Sequence, residues 1–220
     1  MLTYGVSMSL DGYVAGKDQS PRNPLGVRGE RLHEWMRVLA AWRKAAGLKG
    51  GITNASTKVF LEEDQNVGAI IMGRNMFGGG PGPWGDPAWN GWWGEDPPFH
   101  LPVFVLTHHQ REPLECKGGT TFHFVTNGIT SALRLAKGAA KGKDVAISGG
   151  AGVAKQYIEA GLVDEITIHL VPVFLGEGVR LFDSGLLSKV LLRQDRAVEA
   201  PGVTHLTYRV KRRSPPKSRK

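Results

Sequence analysis

The sequence predicts an α/β fold in which helices cover both faces of a central β-sheet. Short apolar runs of strand length alternate along the chain with amphipathic segments of helix length. Several of the apolar runs also end directly in glycine-rich or polar segments, as expected where a strand passes into a loop or a helix. Strands and helices that alternate at this spacing are typical of a sheet with helices on both sides.

The first third of the chain predicts one strand and two helices. Residues 2–9 alternate loosely in hydrophobicity and are bounded by Asp11-Gly12, which indicates a strand ending in a tight turn. Residues 30–46 carry apolar side chains at three- and four-residue steps, which predicts one amphipathic helix. Residues 56–66 predict a second, shorter helix with Ser56 as its N-cap.

The middle third predicts three strands followed by a helix. Residues 68–72, 103–106 and 121–125 are short apolar runs, as expected of buried strands. Residues 129–140 have the composition and spacing of a helix that packs one face on a sheet.

The last third predicts a strand–helix–strand unit and a closing hairpin. The strands are expected at 144–147 and 166–171, with a helix over 153–160 between them. Residues 189–199 and 203–211 have the alternation of two paired strands.

The net charge comes mostly from one end of the chain. The composition is globular, with 41% of the 220 residues hydrophobic, but 28 Lys and Arg outnumber 20 Asp and Glu to give +8. Such a charge would favour a nucleic-acid-binding protein. Seven of the basic residues lie in 209–220, and without them 21 basic residues face 20 acidic ones. We therefore expect a nearly neutral domain over 1–210, a basic, disordered tail over 211–220, and no nucleic-acid partner.

The sequence favours a cytoplasmic protein. The N-terminus lacks a basic region followed by an apolar run, and no stretch approaches the ~20 apolar residues that span a bilayer. Cys116 is the sole cysteine, so it can form no internal disulfide. It lies in a polar stretch without a neighbouring base, which favours a bystander thiol over a nucleophile.

A glycine-rich turn follows the strand predicted at 144–147. In the segment Ser148-Gly-Gly-Ala-Gly152, glycines would let the backbone approach an anion, and the N–H groups of the following helix would point at it. The fingerprint of Rossmann folds is incomplete, because Lys155 stands where the third glycine would be. A purely structural turn is the alternative.

Two further strands end in residues that suit a phosphate. In Gly73-Arg-Asn-Met76, the guanidinium of Arg74 would either pair with phosphate or lie exposed at a helix start. Thr107-His108-His109 offers a hydroxyl and two imidazoles, but adjacent His side chains on a strand point to opposite faces, and no metal site is predicted. Ligands of α/β sheets bind beyond the carboxyl ends of the strands, so the three ends predict one crevice.

The segment 78–98 is a predicted loop rich in Gly, Pro and Trp. It holds Trp84, Trp89, Trp92 and Trp93. Such a loop would stack on a planar heterocycle or act as a lid over a cleft, or it would be buried in a subunit interface.

Five segments together resemble the dihydrofolate-reductase-like superfamily. They are Ser9-Leu-Asp-Gly-Tyr-Val-Ala15, Met72-Gly-Arg-Asn-Met-Phe77, Val105-Leu-Thr-His-His109, Ile147-Ser-Gly-Gly-Ala-Gly-Val153 and the stretch 162–182. The resemblance covers residues 2–210, and the branch it matches best is the reductase domain of bifunctional riboflavin-biosynthesis deaminase/reductases. It implies a three-layer α/β/α sandwich with a mixed, mostly parallel central sheet, NADPH bound across the strand ends, and a homodimer.

The resemblance also implies roles for residues at matching positions. Arg74 and Asn75 would meet the cofactor phosphates, and Thr107 and His108 would lie by the adenosine 2′-phosphate. The pyrophosphate and the nicotinamide ribose would lie along the glycine-rich turn, and Ser7 and Ala15 would flank the nicotinamide carboxamide through backbone groups. The full set of implied cofactor-binding residues is Ser7, Ala15, Gly73, Arg74, Asn75, Met76, Thr107, His108, Ser148, Gly149, Gly150, Ala151, Gly152 and Val153.

The substrate side of the predicted site is less complete. Asp11 is the acidic residue of the first loop that matches the family, and it would act on substrate as a catalytic residue or close a turn with Gly12. In dihydrofolate reductases a carboxylate on the following helix orients the pterin. Glu30 and Glu34 lie on that predicted helix, but the preceding loop does not align, so neither is assigned.

The function implied is that of an NADPH-dependent reductase. Such an enzyme would transfer a hydride to a small planar heterocycle, pterin or pyrimidine-like, as dihydrofolate reductase and 5-amino-6-(5-phosphoribosylamino)uracil reductase do. The alternative is an NADP(H)-binding protein with little or no turnover, because no proton donor is assigned.

Overall fold

A computed structural model describes residues 1–20, 22–78, 80, 82–85, 89–182 and 190–212. Within them the chain forms eleven strands and six α-helices, with short 3-10 helices at Gly29–His33 and Lys117–Gly119. The strands are β1 (Leu2–Ser9), β2 (Tyr13–Ala15), β3 (Val67–Gly73), β4 (Pro102–Leu106), β5 (Leu114–Glu115), β6 (Thr121–Val125), β7 (Asp144–Ser148), β8 (Glu165–Val171), β9 (Val179–Arg180), β10 (Val190–Ala200) and β11 (Val203–Arg212). The helices are α1 (Glu34–Arg37), α2 (Ala40–Ala45), α3 (Ala55–Glu63), α4 (Arg74–Phe77), α5 (Gly128–Ala139) and α6 (Ala151–Glu159).

The main sheet is mixed and mostly parallel. Its strand order is β10–β11–β8–β1–β7–β3–β4–β6–β5. The strands from β8 to β6 in this order pair in parallel, whereas the β10–β11 hairpin and β5 add antiparallel edges. Strands β2 and β9 form a separate two-stranded ribbon. The described part of the chain has no helix long and apolar enough to cross a bilayer.

Both faces of the sheet are covered, as predicted. Side chains of β3 alternate between two apolar clusters, with Ile71 in one and Ile70 and Met72 in the other. Helices α5 and α6 pack on the first face. The second face is covered by the segment from the first 3-10 helix to α3 and by the loop after α4. This arrangement confirms the predicted three-layer sandwich.

The single helix predicted over 30–46 is wrong. The segment instead forms the first 3-10 helix, α1 and α2, interrupted where Leu39 is extended, with φ −70° and ψ 132°. Leu39 bridges to Ile52, and the N–H of Ala40 donates to the Ile52 carbonyl at 2.8 Å. The apolar spacing still marks a buried face, because Leu32, Trp35 and Leu39 share one cluster.

The N-cap predicted for the second helix is also wrong. Asn54 caps α3, since its side chain accepts the Ser56 N–H at 2.9 Å while Thr57 Oγ1 accepts the Asn54 N–H at 3.1 Å. This reciprocal pair is a capping box. The Ser56 hydroxyl is thereby free to face the sheet.

Candidate functional site

The three predicted strand ends meet around one cavity of about 420 Å³. Its lining includes Gly73, Arg74, Asn75, Met76, Thr107, His108, Gly150, Gly152 and Val153, together with His109 and Gln156. Nine of the fourteen residues implied by the resemblance therefore share this cavity. It lies beyond the carboxyl ends of β3, β4 and β7, where α/β folds bind ligands.

Register brings these strand ends together. Strand β3 pairs with β7 on one side and β4 on the other, with Met72 opposite Ser148 and Gly73 opposite Leu106. The approach is close, because a Cβ added at Gly73 would lie 2.7 Å from Cγ2 of Val153. Residues 73 and 153 thus fix the start of α6 against the end of β3.

The turn after β7 opens the N-terminus of α6 to the cavity. Gly149 has φ +72°, and a Cβ there would lie 2.6 Å from Sδ of Met76. A Cβ at Gly150 or Gly152 would meet nothing within 4 Å. Since the first N–H groups of a helix have no intrahelical partners, this helix start can bind an anion through its backbone.

Arg74 lies at the cavity on an aromatic platform. Its guanidinium carbon is 3.8 Å from the centroid of the Trp84 ring, and its N–H groups donate to the carbonyls of Gly82 and Pro83. Arg111 approaches the same ring at 5.1 Å. Burial, followed by the charge of Arg111, lowers the pKa of Arg74. The Nε of Arg74 is buried without a hydrogen-bond partner.

The third strand end combines a buried hydroxyl with an exposed imidazole. Thr107 Oγ1 accepts the N–H of His109 at 3.2 Å and lies 3.4 Å from the His109 carbonyl. His108 is exposed at the cavity rim. The described His, Cys, Asp and Glu side chains form no group of three or more that could hold a metal ion.

Asp11, Ser7 and Ala15 lie outside this cavity. The Asp11 carboxylate accepts the Ser9 hydroxyl at 2.6 Å, the Gly176 N–H at 2.7 Å and the Leu175 N–H at 3.2 Å. Although desolvation opposes them, these bonds lower the pKa of Asp11. In this structure, Asp11 therefore ties the first turn to the loop after β8.

Ser7 lies in β1 of the main sheet, and Ala15 lies in β2 of the two-stranded ribbon. The Ser7 hydroxyl is buried and accepts the Trp35 Nε1–H at 3.0 Å. Ala15 is buried in β2, paired with Val179. Their predicted contacts with a nicotinamide stay predictions.

A second, larger cavity of about 750 Å³ also borders the glycine-rich turn. Ser148 and Gly149 line it, whereas Gly150 and Gly152 line the first cavity. Its other walls include Thr3 and Gly5 of β1 and Glu63 of α3. Ala151 lines neither cavity and lies in the buried core.

Beside this cavity lies a buried polar cluster that was not predicted from the sequence. Across three neighbouring strands, Ser7 is paired with His169 and His169 with His205. The imidazoles join through their Nδ1 atoms at 2.8 Å, and Trp35 packs against both rings. The sequence signal for this cluster was a histidine at an inward-facing position of each strand, His169 in β8 and His205 in β11.

The tryptophans of 78–98 pack on the protein's own sheet. Trp84 lies edge-on to Phe77 at 5.8 Å and to Phe124 at 5.1 Å, and its Nε1–H donates to the His109 carbonyl at 3.0 Å. Trp93 likewise contacts Phe99 and Phe122. These contacts make the described part of the loop a core layer beside the first cavity.

Solved structures share this fold at low sequence identity. A protein described as a riboflavin biosynthesis protein, from Shewanella sp. PV-4, is 24% identical with a TM-score of 0.61, covering 96% of this chain and 99% of that one. Acinetobacter baumannii RibD is 14% identical with a TM-score of 0.55, covering 96% of this chain and 58% of that one. No curated protein sequence matches the chain.

A third structure has a similar extent. It is the Thermotoga maritima diaminohydroxyphosphoribosylaminopyrimidine deaminase/5-amino-6-(5-phosphoribosylamino)uracil reductase, 12% identical with a TM-score of 0.55. The match covers 95% of this chain and 56% of that one, so the chain spans a little over half of the Acinetobacter and Thermotoga proteins. The sequence profile of the RibD C-terminal domain matches residues 1–206. With that match over nearly its whole length, the chain belongs to the RibD C-terminal domain family.

Proposed function

We propose that the protein is an NADPH-dependent reductase that acts on a pyrimidine-like or pterin-like heterocycle. The observation that carries the proposal is the convergence of three strand ends, one helix N-terminus and Arg74 on a single cavity. When bound there, NADPH would supply a hydride to the substrate carbon.

The residues of the cavity fit a dinucleotide phosphate. The open backbone at Gly150 and Gly152 leaves room for a pyrophosphate at the start of α6. Arg74 lines the cavity beside this helix start, and Thr107 and His108 lie on the adjoining strand end. We assign Arg74 and His108 to phosphate binding, because a guanidinium and an exposed imidazole are suited to an anion.

The second cavity is the proposed substrate site. It borders the same glycine-rich turn, so a ligand in it would lie across that turn from the phosphates. The Thermotoga relative is named for its action on 5-amino-6-(5-phosphoribosylamino)uracil, which makes that compound the first substrate to test. We also propose a homodimer, which the measured solution mass would test.

Titration of nicotinamide fluorescence tests the cofactor. We expect NADPH to bind at micromolar concentration and more tightly than NADH, since the 2′-phosphate adds charged contacts. Absence of NADPH binding at that concentration would reject the proposal. Binding without oxidation of NADPH, with either 5-amino-6-(5-phosphoribosylamino)uracil or dihydrofolate, would instead favour an NADP(H)-binding protein.

Substitution of Arg74 tests the phosphate contact. Arg74→Ala should raise the Kd for NADPH about tenfold or more, as loss of a charged hydrogen bond does. The Kd for NADH should rise less. Arg134→Ala, on the exposed side of α5, is the matched control and should change neither constant. Equal losses for both cofactors would move Arg74 to the pyrophosphate.

A further inference from the structure

We propose that Glu63 is the acid that protonates the substrate during reduction, and that His169 holds its carboxyl group in position. This inference rests on the proposed function, because it supplies the proton that hydride transfer requires. Glu63 lines the 750 Å³ cavity, with 30% of its side chain exposed. It therefore reaches both the cavity and the buried cluster behind it.

The carboxyl group ends a chain of buried polar groups. Oε1 of Glu63 lies 2.9 Å from Nε2 of His169, the two imidazoles meet at 2.8 Å, and Nε2 of His205 lies 2.9 Å from the Ser56 hydroxyl. His169 and His205 are only 4% and 2% exposed, and Ser56 is fully buried. Hydrogen bonds thus join His169 of β8, His205 of β11 and Ser56 of α3. Oε1 of Glu63 lies against this chain without a hydrogen-bond partner.

The protons of the two rings have two arrangements. In one, Nε2 of His169 carries its proton toward the carboxyl group and Ser56 donates to His205; in the other, His169 donates to His205 and His205 donates to Ser56. The negative charge of an ionised Glu63 favours the first arrangement, and loss of that charge favours the second. Burial, followed by His169, lowers the pKa of His205 to about 4, which agrees with a neutral imidazole. Glu63 can therefore hold and release a proton while its partners only reverse their hydrogen bonds.

Gly5 makes room for this contact. A Cβ at position 5 of the chain would lie 2.8 Å from Oε1 of Glu63 and 3.8 Å from Nε2 of His169. Gly5 does not have a positive φ, so alanine fits its backbone. Alanine there would push the flexible end of Glu63 away from His169 without removing the carboxyl group.

The chemical step balances with the proposed cofactor. The hydride reduces the carbon of a C=N or C=O bond in the substrate while the dihydronicotinamide is oxidised. The π electrons of that bond move to the heteroatom, which takes the proton of Glu63 and leaves a carboxylate. Glu63 then regains a proton from water through its exposed edge.

Other charged groups surround the carboxyl group and enter any pH dependence. Asp64 follows Glu63 on α3 and carries a raised pKa from burial and from the charge of Glu63. After burial and His169, the charge of Arg196 of β10 also lowers the pKa of His205, and after burial the charge of His169 lowers the pKa of His33 in the first 3-10 helix. The test must therefore compare variants of Glu63 itself.

The first test uses nitrogen NMR across a pH series to follow the tautomers of the His169 and His205 imidazoles in the protein without added ligand. In the wild type we expect the tautomers of His169 and His205 to reverse together, and in Glu63→Gln we expect no reversal. Glu159→Gln, which alters an exposed carboxylate at the end of α6, should behave as the wild type. Identical imidazole titrations in all three proteins would overturn the inference, whether or not NADPH binds.

The second test measures hydride transfer to 5-amino-6-(5-phosphoribosylamino)uracil under single-turnover conditions. Glu63→Gln should lower the rate about a hundredfold and remove the loss of rate at high pH, as expected for a missing general acid. Gly5→Ala should give an intermediate rate, and NADPH binding should be unchanged in both. An unaltered rate and pH profile in Glu63→Gln would contradict the assignment, whereas failure of NADPH to bind the wild type would reject the proposed function.

Discussion

At residue 149 the backbone conformation and the neighbouring side chain both demand glycine. Its φ of +72° lies in the left-handed region, and Met76 occupies the space of a Cβ. Gly152, three residues on, lies in the first turn of α6 with open space around it. Glycine is therefore required by the backbone at residue 149, whereas residue 152 has space for a side chain.

Gly149→Ala should lower the free energy of unfolding by about 1–2 kcal/mol, the cost of a left-handed alanine. Gly152→Ala should not lower it, because alanine suits a helix and meets no neighbour. Urea unfolding of both variants measures the difference. Equal stabilities would show that the turn after β7 relaxes around a side chain.

The buried imidazole of His205 makes stability depend on pH. Burial, followed by the charge of His169, lowers its pKa to about 4, whereas an imidazole in the unfolded chain titrates near about 6.5. Below about pH 6.5 the unfolded chain binds a proton that the folded chain does not, so stability is lost as the pH falls toward 4.

In His205→Gln the free energy of unfolding should decline less between about pH 6.5 and 4 than in the wild type. The measurement is urea unfolding at a series of pH values. His100→Gln, which alters an exposed imidazole, should keep the wild-type slope. A wild-type slope in His205→Gln would mean that residue 205 is not the titrating group.

At the scale of elements, local patterns predicted the elements well and long-range pairing poorly. The apolar runs located the parallel strands within one or two residues, because a strand buried on both faces is apolar throughout. The break at Leu39 depends on Ile52, which no periodicity within 30–46 contains. Strands β5 and β9 have two residues each and exist only through their partners.

In the candidate site, too, the residues in local motifs were predictable and the residues joined by long-range pairing were not. The motifs at 73–76, 107–108 and 148–153 were predictable, because each follows its own strand and parallel strands end at one edge. The cluster around His169 and His205 was not, since it joins strands β1, β8 and β11 with α3. Its members are far apart in sequence; Ser56 and His205, for example, are separated by 149 residues.

The loop after α4 behaves as an element of the core, so its tryptophans should contribute to stability. Trp84→Ala should lower the free energy of unfolding by about 2 kcal/mol, less than the 3–5 kcal/mol typical of a fully buried aromatic side chain, because Trp84 is half-buried. Trp84→Phe keeps an aromatic ring and should lose less. Urea unfolding would show wild-type stability in Trp84→Ala if the loop were a detached lid.

At the scale of the whole molecule, the basic excess is shared between the last strand and the residues after it. Strand β11 extends to Arg212, two residues past the predicted domain boundary, and residues 213–220 lie outside the described residues. Arg209, counted in sequence with the basic end, pairs with Glu165 at 3.1 Å and Asp195 at 3.4 Å. Up to Arg212 the chain holds 24 basic and 20 acidic residues.

Removal of residues 213–220 should therefore weaken binding to polyanions without changing the affinity for NADPH. The truncated protein loses four basic residues and should elute from heparin at lower salt, because polyanion affinity follows net positive charge. Its Kd for NADPH should be that of the full chain. A weaker NADPH affinity would implicate those residues in the site.

The position of β1 sets an order of events during synthesis. Strand β1 is made before the other strands of the sheet, yet it lies between β7 and β8, whose residues begin at Asp144 and Glu165. The centre of the sheet cannot close until β7 and β8 have been made, and pairing over such separations is slow. Until then the apolar strand β1 is unpartnered, so nascent chains that stall before β7 should be the ones that require chaperones.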